Sequence, residues 1–258
     1  VFPEMTPMTT TPASPVFDLT VMDHTLAALD ALDAILEDPS AQFGRFGRAL
    51  SQFLAREDWH FILRVSVLLH DIAKPLTARR IKGALHYYGH DAKGAELADQ
   101  ILRRLRFSNR DRTRITSLIR SHLRVGFLSE NERLTPRQIY RFYYELGDLG
   151  IPLIVHARAD LLGYGADFRE QRYGRNQPAV SETLLSAYFE RNQILVRPPR
   201  YLGGDDLIAL GIPPGPIYTT ILEVAQEATA LGKISSREEA RDWARKFYEH
   251  LTKKGASG

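Results

Sequence analysis

The apolar positions of this chain recur with a helical period almost from end to end. In "VMDHTLAALDALDAILED", Leu26, Leu29, Leu32, Ile35 and Leu36 predict an amphipathic helix that Pro39 stops. "AQFGRFGRALSQFLA" continues as a helix weakened by Gly44 and Gly47. "WHFILRVSVLLHDIA" is apolar on most faces and is expected to be a buried central helix. "RRIKGALHYYGH" breaks the period and predicts a loop with a short hairpin at Lys82 and Gly83. Helices resume in "DAKGAELADQILRRLRF" and in "SNRDRTRITSLIRSHLR", the second N-capped by Ser108.

These elements predict an all-α fold with four stretches. Residues 1–17, rich in Thr and Pro, form an irregular lead-in or linker. A helical body covers 18–165. A connecting segment and helix cover 166–200, with the polar piece 166–178 as a linker and Pro198–Pro199 ending the helix. A small helical tail covers 201–258, with about three helices. Ser236 and Glu239 predict a capping box for the last of them. The chain opens on Val1 rather than Met, so a fragment or processed product is expected.

Composition narrows the chemistry. There are no cysteines, which removes disulfides, thiolate zinc sites and cysteine nucleophiles. Any metal must be held by His, Asp and Glu. No apolar run is long enough to span a membrane, and no signal peptide is evident, so a cytoplasmic location is expected. Net charge is only +3, yet eight arginines lie between Ile101 and Arg124 against one acid, Asp111. Arginine makes bidentate contacts to phosphate, so Arg103, Arg104 and Arg106 are candidates for a nucleic-acid surface. A solvated helix face is the plainer alternative.

Of the eight histidines, several fall with carboxylates at predicted helix ends or junctions. His24 lies near the start of the first helix. His70 and Asp71 are adjacent at the end of the apolar one. His90 follows the hairpin loop, His122 lies near the end of the Arg-rich helix, and Asp160 follows "IVHARA". Converging helix ends can surround a pocket. His60, His86, His156 and His250 read as core or surface residues.

The ordered set His24, His70–Asp71, His90, His122, Asp160 resembles the HD superfamily of metal-dependent phosphohydrolases, which is an all-helical bundle. The resemblance implies that His24, His70, Asp71 and Asp160 ligate a divalent metal and that His90 and His122 belong to a two-metal version of the site. Imidazole and carboxylate donors suit Mn, Ni, Co, Fe, Mg or Zn, as one ion or two. Such an ion lowers the pKa of bound water to about 7. Asp71 is the candidate bridging and catalytic carboxylate. Adjacent residues on a helix point apart, so His70 and Asp71 can serve one centre only if the helix end is distorted. Lys74, in "HDIAKP", is a candidate catalytic and phosphate-contacting group, and Arg124 a second phosphate contact.

A narrower resemblance runs along almost the whole chain through "FPEM", "LLHDIAKP", "GHDAKGA", "ARAD" and "GDDLIALGIPPGP…GKISSREEA". These segments are similar to the carboxy-terminal, HD-containing half of bacterial tRNA nucleotidyltransferases and poly(A) polymerases of the CCA-adding type. The resemblance implies an upstream nucleotidyltransferase domain in the same protein, tRNA as a partner, and nucleotide or RNA phosphoesters such as 2′,3′-cyclic phosphates as substrates. No Gly-Ser/Asp-x-Asp signature occurs, so this chain alone is not expected to add nucleotides. Tyr218 stands where the family usually has Gly. A tRNA-binding module without chemistry, and a free-nucleotide hydrolase, are the competing expectations.

Overall fold

The computed structural model describes residues 2–14, 19–165, 170, 172–191 and 193–255. Among them the fold is all-α, with one two-stranded hairpin. By contact the chain divides into two units, Val1–Leu134 with Asp148–Leu185, and Thr135–Gly147 with Ser186 onward. No helix among the described residues is long and apolar enough to cross a membrane.

The first unit holds α1 (Val21–Glu37), α2 (Ser40–Phe43), α3 (Gly47–Leu54), α4 (Trp59–Leu69), α5 (Lys74–Thr77), the hairpin strands β1 (Arg79–Ile81) and β2 (Ala84–His86), α6 (His90–Arg104), α7 (Asn109–Ser121), α8 (Arg124–Leu128) and α10 (Gly150–Gly163). The second contains α9 (Pro136–Leu146), α12 (Gln193–Val196), α13 (Gly204–Ala209), α14 (Ile217–Ala230) and α15 (Arg237–Gly255). Helix α11 (Arg172–Ser186) lies mostly in the first unit.

The start of α1 follows from a capping box. Thr20 accepts from the Asp23 backbone amide, and the Asp23 carboxylate accepts from the Thr20 amide. Its buried stripe is Val21, His24, Thr25, Ala28, Leu32 and Ile35, whereas Leu26 is half exposed. The sequence pattern pointed to the leucines. Of the predicted stripe, Leu32 and Ile35 are buried and Leu29 and Leu36 partly so, while Ala28 rather than Leu26 meets α10 where it comes so close. A Cβ at Gly163 would lie 2.9 Å from Ala28 Cβ and 2.9 Å from its backbone nitrogen.

The buried central helix is α10 rather than α4. Nearly every α10 residue from Gly150 to Gly163 is buried, and it packs against α1, α4, α7 and α8. Helix α4 buries Ile62, Leu63, Val67 and Leu69 but leaves Phe61 half exposed, stacked on Phe107.

Other local expectations meet mixed outcomes. Gly44, at φ +50°, divides the second helical stretch into two helices joined by a 3-10 turn. The hairpin turns at Lys82 and Gly83, both at positive φ, as a two-residue turn between twisted strands requires. Ser108 caps α7 through the Asp111 amide. In the tail, Ser236 accepts from the Glu239 amide, but the Glu239 carboxylate reaches Ser235 instead of completing the box on Ser236. The lead-in is not wholly irregular. Residues Pro3–Thr9 form a 3-10 helix that buries Met5 and Met8, while 15–18 lie outside the described residues.

The expected linker 166–178 is helical from Arg172; residues 166–169 and 171 lie outside the described residues. Its polarity serves hydrogen bonds to the body. Asn176 donates to the Ser129 carbonyl and buried Gln177 to the Ala157 carbonyl. In the second unit, Leu207, Ile212, Ile221, Ala225, Ile234 and Ala244 form a separate core, and Arg137 and Arg141 of α9 pair with Glu227 of α14.

The contact of α1 with α10 generates a prediction. Gly163→Ala overpacks it and is expected to cost about 1–3 kcal/mol, lowering the thermal midpoint followed by circular dichroism by several degrees. An unchanged midpoint would show that the two helices do not approach so closely.

Candidate metal centre

Six side chains from five helices and their ends meet inside the first unit. His24 comes from the first turn of α1, Asp160 from α10, and His90 opens α6. His70 and His122 are the C-cap residues of α4 and α7. Beyond His70 the backbone tightens to i→i+3 bonds, from the Ile72 amide to the Leu69 carbonyl at 3.2 Å and from the Lys74 amide to the Asp71 carbonyl at 2.9 Å. This end distortion, required if adjacent residues are to face one centre, turns His70 and Asp71 inward together.

The donors fall into two groups, His24, His70 and Asp160 in one and Asp71, His90 and His122 in the other, each within 4.8 Å of one another. His24 Nε2 lies 2.9 Å from Asp160 Oδ1 and 3.4 Å from His70 Nε2. His90 Nε2 and His122 Nε2 are 3.2 Å apart. Asp71 stands between the groups. Its Oδ2 lies 3.2 Å from His70 Nε2 and 3.7 Å from His24 Nε2, and its Oδ1 3.4 Å from His90 Nε2 and 4.0 Å from His122 Nε2.

Three of the rings share one orienting device. The Nδ1 atoms of His70, His90 and His122 each lie 2.7 Å from the carbonyl three residues earlier, on Val67, Tyr87 and Ile119. An Nδ1–H donated there leaves Nε2 with a lone pair turned into the site. At 3.2 Å the lone pairs of His90 and His122 repel one another unless a cation lies between them. Metal–ligand bonds of about 2.1 Å place neighbouring donors about 3–3.5 Å apart, so the spacing and the donor chemistry both fit a divalent ion.

The charges point the same way. Burial opposes charge on Asp71, but His70, Lys74 and His90 hold its carboxyl well below the usual carboxylate range. Asp160 is held down likewise against burial, by His24 and His70. Burial also disfavours charge on His70, yet Asp71 and Asp160 raise it to about 10. His122 is lowered to about 3, by burial first and then by His70 and His90. A proton on His70 and the Lys74 ammonium face the two carboxylates.

Lys74 is buried, with one ion-pair partner and two hydrogen-bond acceptors within the chain. Nζ lies 2.7 Å from Asp71 Oδ2, 2.6 Å from Tyr164 OH and 3.1 Å from the Ala13 carbonyl. A phosphate contact would need one of these to be given up. Lys74, Asp71, His90, His122 and Asp160 all line a cavity of about 210 Å³, whose described lining does not include Arg124. The other arginines do not converge there. Arg103 and Arg112 pair with Asp99, Arg104 with Glu4, and Arg110 and Arg114 with Glu57. Glu4 and Glu57, remote in sequence, and Asp99, one turn before Arg103, neutralise a cluster that looked unopposed, while Arg106 and Arg120 are exposed.

Two neighbours escaped the sequence reading. His156 is indeed a core residue, but its ring lies edge-on to His70 at 5.5 Å and tilted to His122 at 6.1 Å, and burial lowers it to about 3. Tyr164 stacks on His24 with centroids 3.7 Å apart. The signal was present, because 156, 160 and 164 are spaced by four and share one helical stripe.

A helical bundle with this ordered His–Asp site defines a class. Residues 21–160 match the HD domain, and the chain belongs to that family. HD domains bind divalent metals. The chain is also similar to an A-adding tRNA nucleotidyltransferase of Deinococcus radiodurans, at 33% identity over 78% of this chain and 45% of the relative. It is 31% identical to a CC-adding tRNA nucleotidyltransferase of Thermus thermophilus, over 69% of this chain and 38% of that protein. The chain thus spans less than half the length of either relative.

Isothermal titration with Mn²⁺ is expected to show uptake by the wild-type chain and a loss of about tenfold or more in affinity for Asp71→Ala. The sign of the proton balance is also expected to be readable. Because His70 is protonated below about pH 10 without metal, binding near neutral pH releases a proton, seen as a heat that varies with the buffer's ionisation enthalpy.

Proposed function

We propose that this chain is a metal-dependent phosphohydrolase or phosphodiesterase acting on nucleotide or RNA-terminal phosphoesters such as 2′,3′-cyclic phosphates, as the HD part of a tRNA nucleotidyltransferase-like protein. The observation that carries the reading is Asp71, one carboxylate with an oxygen toward each of two three-donor groups. His24, His70 and Asp160 would hold one ion and His90 and His122 another, with Asp71 shared. When bound, divalent ions there would act as Lewis acids on the phosphoryl oxygens and activate water for in-line attack.

The chain's own groups have separate tasks. The three carbonyl-anchored histidines keep their rings aimed without rearrangement. Lys74 fixes Asp71 by its 2.7 Å contact and keeps positive charge at the cavity wall. Tyr164, pushed well above the ordinary phenol range first by burial and then by Asp71 and Asp160, stays protonated and supports both Lys74 and His24.

Purified chain supplied with Mn²⁺, Ni²⁺, Co²⁺ or Mg²⁺ is expected to open 2′,3′-cyclic AMP, and Asp71→Ala to lose roughly 100-fold or more of that rate. Equal inactivity of both proteins with every metal would end the hydrolase reading.

The names of the relatives favour a second reading, a tRNA-binding body with no independent chemistry. Arg103 and Arg104 already spend their charge on Asp99 and Glu4, so this reading leans on the relatives more than on the arginine cluster. It predicts salt-dependent tRNA affinity that falls when Arg103, Arg104 and Arg106 are replaced together by Ala. Gel-shift titrations at two salt concentrations test it, and affinity unchanged by the triple replacement would remove those arginines from the interface.

A further inference from the structure

Beside the metal centre lies a second, larger cavity of about 510 Å³. It shares Lys74, His90, Leu123, Phe127 and Tyr164 with the smaller one, so the two are continuous along one wall. Its outer wall is aromatic and unusually open. Tyr88 is 70% exposed and Phe127 62%, although both line a concave surface. Neither ring fills a core. The Tyr88 ring is not loose, however. It lies parallel to His86, with centroids 5.0 Å apart and planes 10° from each other. The hairpin holds His86 at the end of β2, and Gly89, at φ +76°, turns the chain from Tyr88 straight into His90. A face-exposed aromatic shelf is therefore fixed two residues from a candidate metal ligand.

The same hairpin carries Arg79, Arg80 and Lys82, all exposed, and none forms an ion pair among the described residues. This contrasts with the arginines of α6 and α7, most of which are paired. None of the three hairpin cations is in the described lining of either cavity, but their field favours an anionic ligand nearby over a purely apolar one. An exposed ring face favours a flat π-system, and a stacked ring already held in place loses little freedom when the ligand arrives.

Taking the centre as a phosphoester site, we propose that Tyr88, backed by His86 and sharing the cavity with Phe127, is a nucleobase platform. It would seat the base of the nucleotide whose phosphate reaches the Asp71 centre. The base is held by stacking, which every base offers, so the shelf selects nucleotides over simple phosphoesters without selecting one base.

The test is equilibrium binding to the Mn²⁺-loaded chain, with adenosine 3′-monophosphate and inorganic phosphate as the two probes. The nucleotide is expected to bind at least about tenfold more tightly than phosphate. Tyr88→Ala is expected to lose most of that advantage while its phosphate affinity stays at the wild-type value, Phe127→Ala to lose part of the nucleotide affinity, and Tyr88→Phe to keep it. Nucleotide binding no tighter than phosphate overturns the platform. So does wild-type nucleotide affinity in both alanine variants, or an equal loss of both probes. The outcome separates from that of the hydrolase assay. Tyr88-dependent nucleotide binding by a chain that opens no cyclic phosphate would sustain the platform and defeat the catalytic reading. Hydrolysis with binding that ignores Tyr88 would do the reverse.

Discussion

A buried carboxylate with no well-aligned hydrogen bond to either oxygen is the constraint around which the first unit is organised. Asp71 is almost wholly inside, and neither oxygen has a hydrogen bond of good geometry. Leaving an ionised carboxylate in such a place is unfavourable unless positive charge surrounds it. The chain answers with Lys74 at one oxygen and imidazoles toward both. The bundle can therefore be seen as a shell of helix ends built around one anion. The packing of α1 on α10 matters because it brings His24 and Asp160 to within 2.9 Å of each other at the edge of that shell.

Helix ends suit this role for a reason in their backbone. The last carbonyls of a helix have no amide partner within the helix. At α4 the Val67 carbonyl receives the Nδ1–H of His70, and at α7 the Ile119 carbonyl receives that of His122 beside the His122 amide. One local motif thus ends the helix, satisfies its carbonyl and points the other ring nitrogen inward. His90 uses the same i−3 contact from the turn before α6. The repetition explains how residues so far apart in sequence deliver equivalent atoms to one place.

Much of this was legible beforehand. The helical period, the hairpin at Lys82 and the ordered His–Asp set all lay on the surface of the sequence, because each depends on local chemistry or fixed order. What stayed hidden depends on partners remote in the chain. The stripe of α1 held at Leu32 and Ile35 but not at Leu26, because the proximity of α10 at Gly163 rewards Ala28. The arginine cluster looked unopposed because Glu4 and Glu57 meet it only in the fold and Asp99, one turn before Arg103, lies just outside the counted stretch. Lys74 looked ready for phosphate because nothing in "HDIAKP" reveals that Ala13 and Tyr164 occupy its other donors.

The lead-in illustrates how a contribution can leave no trace in side chains. Ala13 holds Lys74 through its backbone carbonyl, Pro12 accepts from the Tyr87 hydroxyl in the same way, and the segment is pinned by main-chain bonds from the Ala13 amide to Leu19 and from the Val21 amide to Thr11. Every one of these acceptors survives any change of side chain. Side-chain replacement at Thr11, Pro12 or Ala13 leaves these acceptors in place, unlike replacement of buried Met5 and Met8 or of Glu4 on Arg104, and the path of the backbone goes on supporting the lysine that steadies Asp71.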